Sequence, residues 1–419
     1  MPRNVQLYLA SVFDLKFEEM FAGGRYHHLS DLAKLPSFDK RLKYEKRKPL
    51  VLPYILECGD IFNILNNRDI LLHLPYQSYN PVLSFFNQAA VDTQVTEIYI
   101  TLYRVAAESH IVNALISAAK NGKQVTAFIE LKARFDEANN IKWSRIMRDA
   151  GIKIIYSIPG IKVHSKIALI KKTSGDDTLT YAILSTGNFN EITAQFYTDH
   201  VLMTTDQSVI NELLLLFKYL QKDAKLPEKA KTKFEKLLVS QFNMIERFEK
   251  LIDREIEKAS SGKEALIRIK VNNLEEPDMI SLLYKASQAG VKINMMVRGI
   301  CCLMPAVPGI SNNITIRRLV DRYLEHTRLF IFGAGNDPEV IMGSADWMIR
   351  NLHHRIEVCV SIKNSTCKTE LLDYFSMQWQ DTDKAVVLSS NLEQHPVEPG
   401  GKETVNAQDT IYQYLQKRI

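Results

Sequence analysis

The stretch Asn113–Ile129, NALISAAKNGKQVTAFI, lies over Ser281–Val297, SLLYKASQAGVKINMMV, without a gap, and Gly122 falls on Gly290, 168 residues on. In both, apolar residues recur at helical spacing up to the glycine, and a short apolar run follows. A glycine at that point ends a helix, because it takes the left-handed turn that other residues resist. A strand-like segment precedes each copy: TEIYITLYRV at Thr96–Val105 and LIRIKVNN at Leu266–Asn273. The first is rich in β-branched and aromatic residues, and the second also reads as a strand. Strand, helix, strand is a βαβ unit, which closes a parallel pair. The same unit twice predicts two copies of one α/β fold.

Working outward, Val125–Leu131 and Ile152–Tyr156 read as strands, with a helix at Asn140–Ala150 capped by Gly151. The second copy gives a helix at Pro277–Ser287 and a strand at Lys292–Gly299. Lys162–Lys171 alternates. Val163, Ser165, Ile167 and Leu169 take one face; Lys162, His164, Lys166 and Ala168 take the other. A turn at Ser174–Asp177 leads to a strand at Leu179–Ser185. Asp223–Ser261 is charged and helical in pattern, and LPEKAKTK (Leu226–Lys233) near its start reads as a domain boundary. Residues 1–50 differ from the rest. FAGGRYHH (Phe21–His28) and RLKYEKRKPL (Arg41–Leu50) do not open a compact domain. The expected division is 1–50, 51–230 and 231–419.

Composition bounds the function. The 419 residues carry 53 Lys+Arg against 48 Asp+Glu, a net charge of +5, with 46% hydrophobic residues. That balance excludes a disordered or fibrous chain and is too mild to announce a nucleic-acid binder. The longest uncharged stretch, Ile70–Val91, contains Pro75, Pro81, Asn80 and Asn87 and fails as a membrane span. The N-terminus does not read as a signal peptide. Five cysteines without C-x-x-C spacing suggest free thiols in a reducing compartment, hence the cytoplasm, with peripheral membrane association left open.

Each copy also carries a histidine with a basic residue two positions on: His164 and Lys166, then His326 and Arg328, 162 residues apart. A small-residue turn with a polar end follows each pair, LSTGNFN (Leu184–Asn190) and MGSADW (Met342–Trp347). Backbone N–H groups and side chains such as Asn188 suit phosphate oxygens there. One such pair can be a strand-face histidine with a satisfied ring. Two in equivalent places of a duplicated chain point to a shared cleft.

The paired His-x-basic half-sites resemble the phospholipase D superfamily, in which two such half-sites meet and one histidine attacks phosphorus. The second half departs from it with Arg328 in place of lysine. Lys171 and Lys172 stand where the superfamily's acidic residue is expected. The surrounding motifs are more specific. TLYRVA (Thr101–Ala106), ELKARFDE (Glu130–Glu137), PGIKVHSK (Pro159–Lys166), STGNFNEITAQFYTD (Ser185–Asp199), VRG (Val297–Gly299), VDRYLEHTR (Val320–Arg328) and SADWMIRN (Ser344–Asn351) together resemble the C-terminal catalytic part of bacterial polyphosphate kinases.

The resemblance implies two phospholipase-D-like α/β domains with mixed, mainly parallel sheets, preceded by the remnant of a helical domain. It implies reversible transfer of the ATP γ-phosphate to the end of an inorganic polyphosphate chain, with Mg²⁺ as cofactor. His164 would be the phosphorylated nucleophile. Tyr197, Arg298 and His326 would contact the nucleotide, and Lys166, Arg328 and Asn188 its phosphates. Arg104 and Arg134 would lie by the phosphate and Mg²⁺ site, although arginine itself is a poor direct ligand for a metal. ATP, ADP and polyphosphate are the expected partners, with no nucleic acid and no transmembrane segment; a homo-oligomer is left open. The family commonly has a second histidine where this chain has Ile183. Rival readings are a phosphodiesterase or nuclease with the same nucleophile, and a non-catalytic polyphosphate-binding fragment.

The chemistry agrees with the resemblance. A neutral imidazole attacks phosphorus without a separate base, and its phosphorus–nitrogen bond is easily broken again. Arginines suit bidentate contact with the charge that develops on phosphoryl oxygens. Arg104 reads as mid-strand. Arg317, Arg318 and Arg322 read as the solvated face of a helical stretch. His353 and His354 lack partners at metal-ligand spacing. Met295 and Met296 read as core, and Asn211–Leu220 as a helix packed on the sheet.

Overall fold

The computed structural model describes residues 1–419 apart from 22, 37, 132, 134–135, 157–159, 222–232, 336 and 402. The chain forms two compact units, Met1–Arg47 and Lys48–Ile419. In the first, the helix Arg3–Phe13 buries none of its residues, and short 3₁₀ turns follow at Phe17–Glu19, Leu29–Lys34 and Lys40–Leu42.

The second unit contains two large sheets and a two-stranded one, Lys162–Val163 with Arg355–Ile356. The strands of its first half are β1 (Ile70–Leu74), β2 (Val95–Leu102), β3 (Gln124–Ile129), β4 (Lys153–Tyr156), β5 (Lys162–Val163), β6 (Ile167–Ser174), β7 (Asp177–Ser185) and β8 (Tyr197–Thr204). Those of its second half are β9 (Leu237–Val239), β10 (Leu266–Val271), β11 (Lys292–Val297), β12 (Ile314–Leu319), β13 (Leu324–Glu325), β14 (Leu329–Phe332), β15 (Glu339–Gly343), β16 (Arg355–Ile356), β17 (Val358–Ser361), β18 (Ala385–Leu388) and β19 (Gln394–Pro396). The first sheet runs β1-β8-β7-β6-β2-β3-β4. The second runs β9-β17-β15-β14-β10-β11-β12 and continues to β18 and β19. Strand for strand, the order repeats. Both sheets are mixed: β2-β3-β4 and β10-β11-β12 pair in parallel, and the return strands run antiparallel.

A helix spans His110–Lys120, and Gly122 follows at φ +83°. The strand after it, β3, ends at Ile129, and β11 lies 168 residues further on at both of its ends. The next helix spans Glu137–Asp149, opening three residues earlier than the pattern suggested. Alternation along the strands divides the core. Val125, Ala127 and Ile129 of β3 and Tyr181 and Ile183 of β7 join one cluster with the helices Asn80–Val91 and His110–Lys120. Phe128, Ala182 and Leu184 point the other way, into a cluster shared with Leu329, Ile331, Val340 and Met342 of the second sheet and with the helices Gln207–Gln221 and Ser365–Trp379. Both faces of each sheet are therefore buried, as in helix-covered α/β folds. Met295 and Met296 are core, as expected.

Three expectations change. The single strand over Lys162–Lys171 is two, β5 and β6, so His164 and Lys166 lie in the break between them. Arg317 and Arg318 lie on β12, not a helix. Ile314 and Ile316 alternate with the polar positions, and the parallel ladder to β11 fixes that period. Arg322 follows in a bend. Within Asp223–Ser261, residues 223–232 are outside the described residues, Leu237–Val239 is a strand, and the helix is Met244–Ser260. Among the described residues, no helix is long and apolar enough to cross a membrane.

Candidate active site

Two short ladders join the halves reciprocally. β5 pairs with β16, Lys162 opposite Arg355 and Val163 opposite Ile356. β13 pairs with β8, Leu324 opposite Tyr197 and Glu325 opposite Thr198. Each histidine follows directly after one of these ladders. The Ile356 carbonyl accepts from the backbone N–H of both His164 and Ser165 at 2.9 Å, pinning the turn that carries His164.

The carboxylates cross over with the strands. His164 Nδ1 lies 2.8 Å from Glu357 Oε1, and Glu357 is fully buried. Ser344 Oγ donates to Glu357 Oε2 at 2.5 Å, and Asn351 Nδ2 donates to Oε1 at 2.5 Å. In the mirror arrangement, His326 Nδ1 lies 2.9 and 3.0 Å from the two oxygens of Asp199, to which Thr186 Oγ1 donates at 2.5 Å. Glu357 and Asp199 are the carboxylates that hold the two histidines, and sequence reading missed both. They stand 158 residues apart, as do Thr186 and Ser344, and Asn188 and Asp346. Carrying the repeat past the histidines would have found them.

The basic partners differ. Lys166 Nζ sits 3.0 Å from both ring nitrogens of His164, donates to the His164 carbonyl, and lies 5.4 Å from the Tyr103 ring centre. Arg328 NH1 lies 3.1 Å from His326 Nε2, while its Nε and NH2 donate to the two oxygens of Asp346 at 3.2 and 3.3 Å. The Asp346 position is Asn188 in the first half, so Lys166 has no equivalent carboxylate there. Burial raises the Asp346 carboxyl, but Arg328 overcomes it and the pKa settles at about 2. Arg328 is thus paired with a carboxylate of its own half, whereas the carboxylate acting most on Lys166 is Glu357 of the other half.

Burial first, then the charges of Lys166, Arg355 and Arg328, holds His164 well below its ordinary pKa. The neutral ring gives its Nδ1 hydrogen to Glu357 and keeps the Nε2 lone pair. His326 is also lowered, chiefly by burial, against the opposing pull of Asp199. Arg328 acts on His164 and Lys166 acts on His326, so the half-sites form one cluster.

Other expected residues gather around it. The Tyr197 ring lies 5.0 Å from that of His326. Arg298 Nε donates to Asn272 Oδ1 at 3.0 Å, and Asn272 Nδ2 donates to the His326 carbonyl at 2.9 Å. Asn188 follows Gly187, where a Cβ would come within 2.1 Å of Asp199 Oδ2, so only glycine lets the loop approach. Arg104 lies two residues beyond β2, not mid-strand, and its Nε pairs with Asp136 at 3.3 Å. It adjoins Tyr103, whose ring meets His164 edge-on at 4.5 Å. Arg134 lies outside the described residues. Ile183, at the family's second histidine, is fully buried in the core. His353 pairs with Glu276 at 3.0 Å. Among the described residues, no group of three or more His, Cys, Asp or Glu could hold a metal. The cations that do gather fit an anion, not a directly bound Mg²⁺.

Fold and site together define a duplicated α/β protein with paired histidine half-sites. A phosphatidylserine synthase from Haemophilus influenzae has a similar fold, with a TM-score of 0.54 over 86% of this chain and 96% of that one, at 11% identity. Residues 60–226 match polyphosphate kinase C-terminal domain 1, and 237–408 match C-terminal domain 2. The chain belongs to the polyphosphate kinase family. It is 39% identical to the polyphosphate kinase of Vibrio parahaemolyticus, covering 99% of this chain and 59% of that protein. The Escherichia coli polyphosphate kinase is 38% identical, over 96% of this chain and 58% of that protein. The crystal structure of the Porphyromonas gingivalis enzyme superposes with a TM-score of 0.87 at 41% identity, over 100% of this chain and 63% of that one. The chain thus spans about three fifths of the length of the relatives it matches.

Proposed function

We propose that the chain transfers the γ-phosphoryl group of ATP reversibly to the end of polyphosphate through a phosphohistidine at His164. The observation that carries this reading is a neutral, buried His164 with Nδ1 on Glu357 and Nε2 unblocked by any carboxylate. The Nε2 lone pair attacks the γ-phosphorus, the bond to the bridging oxygen breaks, and ADP leaves. The ring becomes positive as the phosphorus–nitrogen bond forms, and Glu357 balances that charge. A terminal polyphosphate oxygen then attacks phosphorus, the phosphorus–nitrogen bond breaks, and His164 is restored.

Lys166, Arg328 and Asn188 take the oxygens of the transferring group in this reading. His326, Tyr197 and Arg298 take the nucleotide side, and Arg104, with Arg134, the neighbourhood of the phosphates and their Mg²⁺. Mg²⁺ comes as the counter-ion of the substrate phosphates, and no step is assigned to it. We place the enzyme in the cytoplasm, in keeping with its five free cysteines.

Incubation with γ-labelled ATP and Mg²⁺ tests this. Acid-labile, base-stable label is expected on the protein and is lost in His164→Ala. Label persisting in that variant, or found mainly on His326, overturns the assignment. Cleavage of a phosphodiester without ATP would favour the nuclease reading instead.

A further inference from the structure

Directly before His326 stands Glu325, 2% exposed, with four donors on one carboxylate. Lys270 Nζ reaches Oε2 at 2.6 Å, Gln378 Nε2 reaches Oε2 at 2.6 Å, and Thr198 Oγ1 donates to Oε2 at 3.0 Å. The fourth is Gln408 Nε2, on Oε1 at 2.8 Å. Gln408 belongs to the last helix, Ala407–Gln416, and is 1% exposed. Its amide also grips the backbone of Tyr323. Oε1 accepts the Tyr323 N–H at 3.0 Å, and Nε2 donates to the Tyr323 carbonyl at 2.9 Å. One side chain of the last helix therefore holds both the backbone and the carboxylate of the segment leading into His326.

The path onward is short. Thr198 Oγ1, which donates to Glu325, accepts the backbone N–H of His326 at 3.1 Å. Asp199, the next residue, holds the His326 ring at Nδ1. A shift of Glu325 would thus reach His326 through both its backbone and its ring. A buried carboxylate that loses a donor does not stay where it was, because the unpaired charge is costly.

We infer that Gln408 is a positioning residue for His326, acting through Glu325 and Thr198. This rests on the reading in which His326 serves phosphoryl transfer. Leucine at 408 keeps the bulk and removes three hydrogen bonds. Gln408→Leu is expected to slow single-turnover labelling of His164 about tenfold, in line with the cost of small misplacements in such sites. The final labelled fraction should be unchanged.

In a His326→Ala background the same substitution should add no slowing, because residues acting through one another are not additive. Equal slowing in both backgrounds, or none in the wild-type background, overturns the inference. Wild-type labelling by His326→Ala alone would instead show that the site reading has failed. Should Gln408→Leu not fold, Gln408→Met in the same two backgrounds gives the same comparison.

Discussion

His164 owes its chemistry to its surroundings and not to its own intrinsic pKa. Burial and the cations around it keep the ring neutral, while Glu357 settles which nitrogen carries the hydrogen. Glu357→Gln separates orientation from charge: the amide oxygen can still accept from Nδ1 but cannot balance a positive ring. The labelling rate should fall about 10²-fold with the substrate KM little changed. A rate close to wild type would mean that Glu357 only orients. Ile183 gives the opposite kind of prediction. It points into the apolar cluster under the first sheet, so Ile183→His buries an imidazole without partners. About 2–3 kcal/mol of stability should be lost, read from urea unfolding, with no gain in labelling. A faster-labelling variant would show that a histidine there can reach the site.

At the scale of elements, the loop after β7 and the two crossing ladders do the positioning. Gly187→Ala cannot be absorbed without moving Asp199, whose oxygen would sit inside the new methyl group. Turnover should fall about tenfold or more as His326 loses its anchor, with the phosphorylation site still His164. Normal turnover would show that Asp199 can move at no cost. Arg328→Lys keeps the charge but cannot span both oxygens of Asp346, so a loss of about tenfold in kcat/KM is expected. Sequence reading succeeded where information is local. Helix–glycine–strand at Gly122 and Gly290 needs only neighbours, and so do the His-x-basic pairs. It failed where distant chain decides. Glu357 lies 193 residues from the histidine it serves, and the strand bearing Arg317 and Arg318 is set by a ladder to β11.

For the whole molecule, the buried histidines make stability depend on pH. His164, His200 and His326 are all held below their ordinary values, mainly by burial. Below about pH 6.5 the unfolded chain binds protons that the native chain refuses, so stability rises with pH and is lost on acidification. Each such histidine contributes up to about 1.4 kcal/mol per pH unit in that range. Glu357, whose carboxyl burial pushes up, acts in the opposite direction above its usual range but is one group against three. Urea midpoints should fall between pH 7 and pH 5.5, and less steeply in His164→Ala. A flat profile would mean that these rings are protonated in the native state.

The exchange of strands and carboxylates between the halves has a further consequence. Residue for residue, it is the pattern of an isologous dimer, in which each subunit completes the other's site, here drawn on one chain. A lone half could fold its sheet and still hold no oriented imidazole, since its carboxylate would face a partner that is absent. Joining the halves covalently also frees them from identity. One can keep lysine and asparagine beside its histidine, while the other takes arginine and aspartate and pairs the two with each other.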